Sequence, residues 1–176
     1  MRITLDHNCL IHLENGGGIA DCLRAILNNP GHQCFVVNVG ASEMQQFGVR
    51  PDNYAAFEAL LKRIGLAGLP RLDPIGMWNV TFYERSLFTG DADQKLFEAI
   101  QAVLFPSNVP HTDKGEVKKG GDRKVLNRLC DVLAMWCHIS YKNEVFVTTD
   151  KNFLKKTKLP KLLTLGAGRV CLPHEL

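Results

Sequence analysis

The sequence predicts an α/β protein in which a mainly parallel sheet lies between two layers of helices, a three-layer α/β/α sandwich. Short apolar runs with strand character alternate along the chain with longer segments whose apolar residues recur at helical spacing. In such folds the carboxyl ends of the parallel strands share one edge, where binding and catalytic residues collect. The length of 176 residues suits one compact core, so we expect a single domain over residues 1–176.

Each predicted element rests on the spacing of its apolar residues and on the residues that end it. The strands are short apolar runs rich in β-branched residues, such as "CFVVNV" over Cys34–Val39. The helices carry apolar stripes and are bounded by capping residues, Pro or Gly. In chain order we expect a strand over residues 2–5, a helix over 18–28, a strand over 34–39, a helix capped by Ser42 and Gln45, a helix from Pro51 to Gly65, helices over 91–105 and 123–141, a strand over 144–150, one helical turn over 151–156 and a strand over 169–172.

The stretch over residues 66–122 is less regular and forms the variable region of the predicted domain. A short strand flanked by Pro70 and Pro74 is expected there, and "WNVTF" over residues 78–82 fits either a strand or a loop. Residues 106–122 contain Pro, Gly and several Lys, which predicts a loop.

The composition and the lack of a recognisable targeting signal predict a cytoplasmic protein with no membrane partner. Hydrophobic residues make up 45% and charged residues 22% of the chain, and no apolar run is long enough to cross a bilayer. The N-terminus lacks the pattern of a signal peptide. The six cysteines are dispersed without a CxxC pair, so we expect reduced thiols rather than a zinc site.

Basic residues are concentrated in the last part of the chain. Residues 1–110 carry 8 basic and 11 acidic side chains, whereas residues 111–161 carry 12 basic and 6 acidic ones. Such a run is either a solvated surface or a footprint for a phosphate backbone. A reactive site close by would favour the footprint.

Three acidic side chains stand where predicted strands end. Asp6 follows the first strand, Glu43 lies at the start of the helix after the second, and Asp150 ends the strand "VFVTT". Taken singly, each has an ordinary explanation as a helix cap or a turn residue. Because the carboxyl ends of parallel strands meet at one edge, we expect all three to lie there together.

A fourth acid, Asp131, interrupts the strongly apolar helix "VLNRLCDVLAMWCHI". Such a helix is largely buried, and a buried carboxylate needs an ion pair, a hydrogen bond or a metal ion. The structural alternative is a salt bridge, for which Arg128 is one candidate partner. Four acids at one low-dielectric edge would repel one another, and divalent cations that prefer oxygen ligands, Mg²⁺ or Mn²⁺, relieve that repulsion.

The motifs "LDHNCLI", "GASEMQQ", "LCDVLAMWCHI" and "TTDKNF" resemble, in this order, those of the PIN-domain family of metal-dependent nucleases. The likeness covers residues 1–66 and 123–155. It implies a PIN-like fold and hydrolysis of RNA phosphodiester bonds with a metal-activated water. Of the two kinds of nuclease, it favours an endonuclease over an exonuclease. Many members are toxins of bacterial toxin–antitoxin pairs and are dimeric, which adds an antitoxin protein and a homodimer to the candidate partners.

The resemblance assigns roles to residues of this chain by their position in the motifs. The catalytic acids and ligands of Mg²⁺ or Mn²⁺ would be Asp6, Glu43, Asp131 and Asp150. Asn8 and Thr149 would be supporting polar residues that orient them. The basic side chains that would guide the RNA backbone are Lys118, Lys119, Arg123, Lys124, Lys151 and Lys155.

The chain departs from the family pattern in two motifs and allows two other functions. His7 replaces the usual Thr, and Asn152 replaces a frequent second Asp. A PIN-like RNA-binding or scaffold domain without catalysis is the first alternative. A phosphohydrolase of the haloacid-dehalogenase kind is the second, but it requires an acid where Asn8 stands. We find no aromatic-rich platform for stacking bases, so sequence-specific readout of RNA is not expected.

Overall fold

Five parallel strands form one sheet at the centre of a three-layer α/β/α sandwich, which confirms the predicted fold class. The computed structural model describes residues 1–44, 51–88, 90–106 and 122–176. The strands are β1 (Arg2–Leu5), β2 (Gln33–Val37), β3 (Arg71–Leu72), β4 (Val145–Val147) and β5 (Arg169–Cys171). Their spatial order is β3-β2-β1-β4-β5, with parallel pairing throughout.

Seven α-helices in the described part of the chain cover the two faces of this sheet. They are α1 (His7–Asn15), α2 (Gly18–Asn28), α3 (Gly40–Glu43), α4 (Pro51–Arg63), α5 (Asp91–Leu104), α6 (Asp122–Ser140) and α7 (Leu159–Thr164). Side chains of α1, α2 and α4 pack on one face in a cluster with Ile3 and Leu5, and those of α5, α6 and α7 pack on the other with Phe35 and Phe146. None of the described helices is long and apolar enough to span a membrane.

The order of the strands places a topological switch point at one edge of the sheet. From β1 the chain builds outward to β2 and β3 on one side, and after α6 it returns to place β4 and β5 on the other side. Ligands of open α/β sheets bind outside the carboxyl ends of the strands where the direction of growth reverses, here between β1 and β4. The residues that follow these two strands, Asp6 and Thr148, therefore line the expected position of a site.

Two short helices escape the sequence prediction. Helix α1 starts directly after β1 and buries Cys9, Leu10 and Leu13, but polar residues between them hide the apolar stripe. Helix α7 has six residues, too few for a recognisable period, and Pro160 occupies its first turn. Helix α1 begins where the sequence shows the polar end of a strand, and the helical turn predicted over 151–156 forms turns instead, ahead of α7 at Leu159.

Several predicted boundaries change. Ser42 is not an N-cap: it lies inside α3, and its hydroxyl donates to the carbonyl of Val80 at 2.5 Å, while Gln45 lies outside the described residues. The segment "WNVTF" forms turns rather than a strand, with the N–H groups of Val80 and Thr81 both bonded to the carbonyl of Met77. Most of the predicted loop over 106–122 also lies outside the described residues.

A buried polar chain links α6 to the sheet through His138. The Nδ1 atom of His138 lies 2.9 Å from the Thr4 hydroxyl, and its Nε2 atom lies 2.8 Å from the carbonyl of Ala167. Because a carbonyl only accepts, we assign the proton to Nε2, and Nδ1 accepts from Thr4, which in turn accepts from Asn143 Nδ2 at 2.7 Å. Burial lowers the pKa of His138 to about 4, so the ring is neutral at pH 7.

We expect His138 to destabilise the fold progressively as the pH falls from about 6.5 to about 4. Its pKa is lowered to about 4 in the folded state, so below its ordinary value of 6.5 the unfolded chain binds a proton that the folded chain does not. The loss reaches about 3 kcal/mol near pH 4. Urea unfolding across this range should show a steeper acid loss in the wild type than in His138→Gln. The exposed His174→Gln variant should follow the wild type, and identical pH dependence in all three proteins would contradict the account.

Candidate functional site

Asp6 caps helix α1 and lies at the switch point between β1 and β4. Its N–H donates to the carbonyl of Val147 at 3.0 Å, which extends the β1–β4 ladder by one residue. Its Oδ1 accepts from the N–H of His7 at 2.8 Å as the cap of α1. Its Oδ2 accepts from the Thr148 hydroxyl at 2.6 Å and lies 3.4 Å from Asn8 Nδ2. The carboxylate is only 2% exposed, so these donors fix its orientation.

The Thr148 hydroxyl connects Asp6 to Asp150. It donates to Asp6 and accepts from the N–H of Asp150 at 2.9 Å, and Asp150 Oδ1 accepts from the N–H of Asn152 at 2.8 Å. Thr149 is the residue predicted to orient the acids, but the hydrogen bonds to Asp6 and Asp150 are made by Thr148. Leu5 pairs with Val147, so the next residues, Asp6 and Thr148, are adjacent. Successive side chains of an extended segment point to opposite sides, which turns Thr149 away.

Thr148→Val is expected to lower the free energy of unfolding by about 1–3 kcal/mol at pH 7.5, because it removes a donor from a buried carboxylate. The matched variant Thr149→Val should change it by less than about 0.5 kcal/mol. Urea denaturation of both variants and the wild type measures the difference. Equal losses in the two variants would show that the hydrogen bond to Asp6 has no special weight.

Helix α3 brings Glu43 to the same edge. The backbone at Gly40 packs so closely on α1 that a Cβ there would lie 2.8 Å from His7 Nδ1. His7 Nδ1 is buried and has no hydrogen-bond partner among the described residues, and burial lowers the pKa of His7 to about 4. Glu43 itself has no paired cation or hydrogen-bond donor within the described residues. Burial raises the pKa of Glu43 well above its ordinary value, and Asp6, Asp131 and Asp150 raise it further.

Asp131 has no salt bridge to the neighbouring Arg128 or to any other cation among the described residues. The guanidinium of Arg128 lies instead 5.5 Å from the centre of the Phe105 ring. Burial raises the pKa of Asp131 to about 8, Asp6 and Asp150 add to the increase, and Lys158 opposes it. A half-buried carboxyl group thus lies among like charges, with Lys158 as the opposing cation among the described residues.

The four acids act on one another and form what we call the acidic cluster: Asp6, Glu43, Asp131 and Asp150. Burial raises the pKa of Asp6 to about 6, and the charge of Asp150 adds to it, while hydrogen bonds from Thr148, His7 and Asn8 oppose it. Each member comes from a different part of the fold: the end of β1, α3, α6 and the residues after β4. The structure therefore brings the four predicted acids into one electrostatic environment.

The acidic cluster fits a divalent cation in its chemistry but does not form a coordination sphere as it stands. Among the described residues, no three His, Cys, Asp or Glu side chains are arranged so that they could hold a metal ion. The donor set nevertheless consists of carboxylate oxygens, which Mg²⁺ and Mn²⁺ prefer, and none of its four members forms a salt bridge among the described residues. Binding would require these side chains to turn toward a common point.

Lys158 also belongs to the site, although its place in the sequence marks it only as part of the basic run over residues 111–161. Its ammonium group donates to the carbonyl of Leu104 at the end of α5 and to Asn152 Oδ1, two residues after Asp150. Its charge lowers the pKa of Asp131. Burial lowers the pKa of Lys158 itself. No sequence spacing signals this role, since it depends on the turn before α7.

The predicted RNA-backbone residues are partly described. Arg123 and Lys124 are exposed in the first turns of α6, and Lys151 and Lys155 are exposed just after Asp150. The other two predicted residues, Lys118 and Lys119, lie outside the described residues.

The fold and the site together define an α/β protein with an acidic cluster at the switch point of a parallel sheet. Comparison of the chain with protein-family models, with curated proteins and with solved structures finds no match in any of the three. The resemblance to PIN-domain nucleases therefore rests on the four sequence motifs and stays a prediction.

Proposed function

We propose that this protein is a metal-dependent ribonuclease that hydrolyses RNA phosphodiester bonds internally. The observation that supports the proposal most strongly is the acidic cluster, in which buried carboxyl groups raise one another's pKa. Such an arrangement lowers the stability of the empty protein, because ionised carboxylates that lose hydration repel one another and, among the described residues, have no paired cation. A cation that the acids hold in common would offset this cost.

The residues of the acidic cluster would divide the work of binding between them. Asp6 and Asp150 would hold Mg²⁺ or Mn²⁺ at the ends of β1 and β4, kept in place by Thr148. Asp131 and Glu43 would approach from α6 and α3. When bound, a divalent cation supplies charge neutralisation and lowers the pKa of a water molecule.

The exposed basic side chains suit a substrate with a phosphate backbone. Lys151 and Lys155 follow Asp150 in the chain, and Arg123 and Lys124 lie on α6 about two turns before Asp131. Contacts of this kind position nucleic acid without reading its sequence. An antitoxin or a second copy of the chain as partner stays a prediction.

We expect the purified protein to cut an end-labelled, single-stranded RNA in the presence of Mn²⁺ or Mg²⁺ and to stop when EDTA is added. Asp6→Asn should reduce the rate by at least about 100-fold, because a fixed carboxylate is lost while the hydrogen-bonding shape of the side chain stays similar. The exposed Glu98→Gln variant on α5 serves as the control and should cut at the wild-type rate.

The competing function is a PIN-like RNA-binding or scaffold domain without catalysis. It predicts that the protein binds RNA but neither binds Mn²⁺ nor cuts. That combination of results would show the ribonuclease proposal to be wrong.

A further inference from the structure

The most exposed aromatic rings in the described residues lie within one short segment. Trp78, Tyr83 and Phe88 are 89%, 80% and 87% exposed, and they are the only aromatic residues among the exposed large hydrophobic side chains described. We call residues 76–88 the aromatic segment. These rings are five residues apart and follow no strand or helix period, so the sequence alone does not indicate a stacking platform.

The aromatic segment is closed at its base and fixed in shape by its own backbone. The N–H of Gly76 donates to the carbonyl of Leu87 at 2.9 Å, and the N–H of Leu87 donates to the carbonyl of Pro74 at 2.8 Å. Inside the loop, the N–H of Met77 donates to the Thr81 hydroxyl at 2.8 Å, and Asn79 turns the chain with φ of 59°. The rings therefore project from a structured loop.

A hydrogen bond holds the aromatic segment beside the acidic cluster. The Ser42 hydroxyl donates to the carbonyl of Val80 at 2.5 Å, and Ser42 directly precedes Glu43. Trp78 stands two residues from Val80, so their Cα atoms are at most about 7 Å apart. A polymer whose backbone lies at the acidic cluster would thus have parts within reach of the aromatic segment.

Within the described residues, the exposed rings form one contacting pair, Tyr83 and Phe88, and one ring without an aromatic partner, Trp78. Tyr83 and Phe88 meet edge to face with ring centres 5.9 Å apart, whereas Trp78 is 89% exposed and open to contact on its faces. Arg85 adds a cation, with its guanidinium 5.3 Å from the ring centre of Tyr54. Separate aromatic faces beside a cation suit unstacked bases, whereas a protein interface needs a larger contiguous apolar patch.

We propose that the aromatic segment is a stacking platform for the bases of single-stranded RNA. The inference rests on the proposed ribonuclease function for the position of the RNA backbone, and it narrows the substrate to unpaired RNA. Every base has a face that stacks, so the platform binds without strong sequence preference. Trp78 is the central contact because its ring is the largest and the most exposed.

Tryptophan fluorescence tests this inference directly, because the chain has only two tryptophans. Trp136 is 1% exposed and donates from Nε1 to the carbonyl of Asp93, so quenching by an added RNA reports on Trp78. In EDTA, where no cleavage occurs, a single-stranded RNA octamer should quench the fluorescence with a saturable dependence on concentration. A duplex of the same sequence and an octamer without bases should quench far less. Equal quenching by the octamer without bases would overturn the proposal.

Substitution separates stacking from other roles of the surface. Trp78→Ser should weaken binding of a labelled octamer about tenfold, measured by fluorescence anisotropy in EDTA. Ile19→Ser, which alters a 38% exposed apolar side chain on α2, is the matched control and should bind like the wild type. Unchanged RNA binding in Trp78→Ser would overturn the proposal, and a simultaneous change in sedimentation would identify the segment as a protein-docking surface instead.

These binding measurements stay distinct from the test of catalysis. Quenching and the loss in Trp78→Ser, without cleavage after Mn²⁺ is added, would support the platform and contradict the ribonuclease. Cleavage without quenching would support the ribonuclease and contradict the platform.

Discussion

Asp131→Asn is expected to stabilise the metal-free protein at pH 8 and, in the same variant, to abolish cleavage of RNA. Burial and the neighbouring acids raise the pKa of Asp131 to about 8, so keeping this group in the folded state costs several kcal/mol at that pH. The amide carries no charge, and its own burial offsets part of the gain. We expect a net increase of about 1–3 kcal/mol in the free energy of unfolding, measured by urea denaturation in EDTA.

The activity of the same variant should change in the opposite direction. With Mn²⁺ present, the rate of RNA cleavage should fall by at least about 100-fold, because one carboxylate of the acidic cluster is lost. Asp91→Asn, at an exposed position in the first turn of α5, should leave cleavage unchanged and alter stability by less than about 1 kcal/mol. A variant of Asp131 that is less stable without metal and still cuts would refute the assigned role.

The second large effect is a reversal of the pH dependence of stability by Mg²⁺. The pKa of Asp131 is raised to about 8 and that of Glu43 is raised well above its ordinary value. Between pH 6.5 and 8 the unfolded chain has released the proton of Asp131, whereas the folded chain keeps much of it. The folded state therefore binds more protons, and stability falls with rising pH by up to about 1.4 kcal/mol per pH unit from Asp131. The raised pKa of Glu43 acts in the same direction. His138 adds a small opposite slope near pH 6.5, where its ring in the unfolded chain is half protonated, and almost none toward pH 8.

Magnesium should change the sign of this slope. It binds the ionised carboxylates, so its stabilisation of the folded state grows as the pH rises. Thermal unfolding at pH 6.5, 7.25 and 8, with excess Mg²⁺ or EDTA, measures both slopes. A flat profile in EDTA, or a stabilisation by Mg²⁺ that does not depend on pH, would show that the folded state does not raise the pKa values of these acids as described.

The acids and the strands that carry them are predictable from the sequence because both depend on short local patterns. Asp6 and Asp150 each follow an apolar run, and a parallel sheet brings the ends of such runs to one edge. Asp131 was conspicuous because an acid is rare in so apolar a helix. None of these inferences depends on the order of the strands in the sheet.

What depends on distant contacts could not be predicted. The choice of Thr148 over Thr149 follows from the β1–β4 register, which sequence periodicity does not give. Lys158 reaches the site through the carbonyl of Leu104, 54 residues away in the chain. The bond from Ser42 to Val80 fixes the aromatic segment beside Glu43, where a local pattern suggests a helix cap instead.

Direct binding of Mn²⁺ tests the central claim that the four acids form one cation site. Electron paramagnetic resonance of free Mn²⁺, titrated with the protein at pH 7.5, should show saturable binding to the wild type. Asp6→Asn and Asp131→Asn should each weaken that binding at least about tenfold, and Glu98→Gln should leave it unchanged. If the wild type takes up no Mn²⁺, or if the two acidic-cluster variants bind it as the wild type does, the account of the site is wrong.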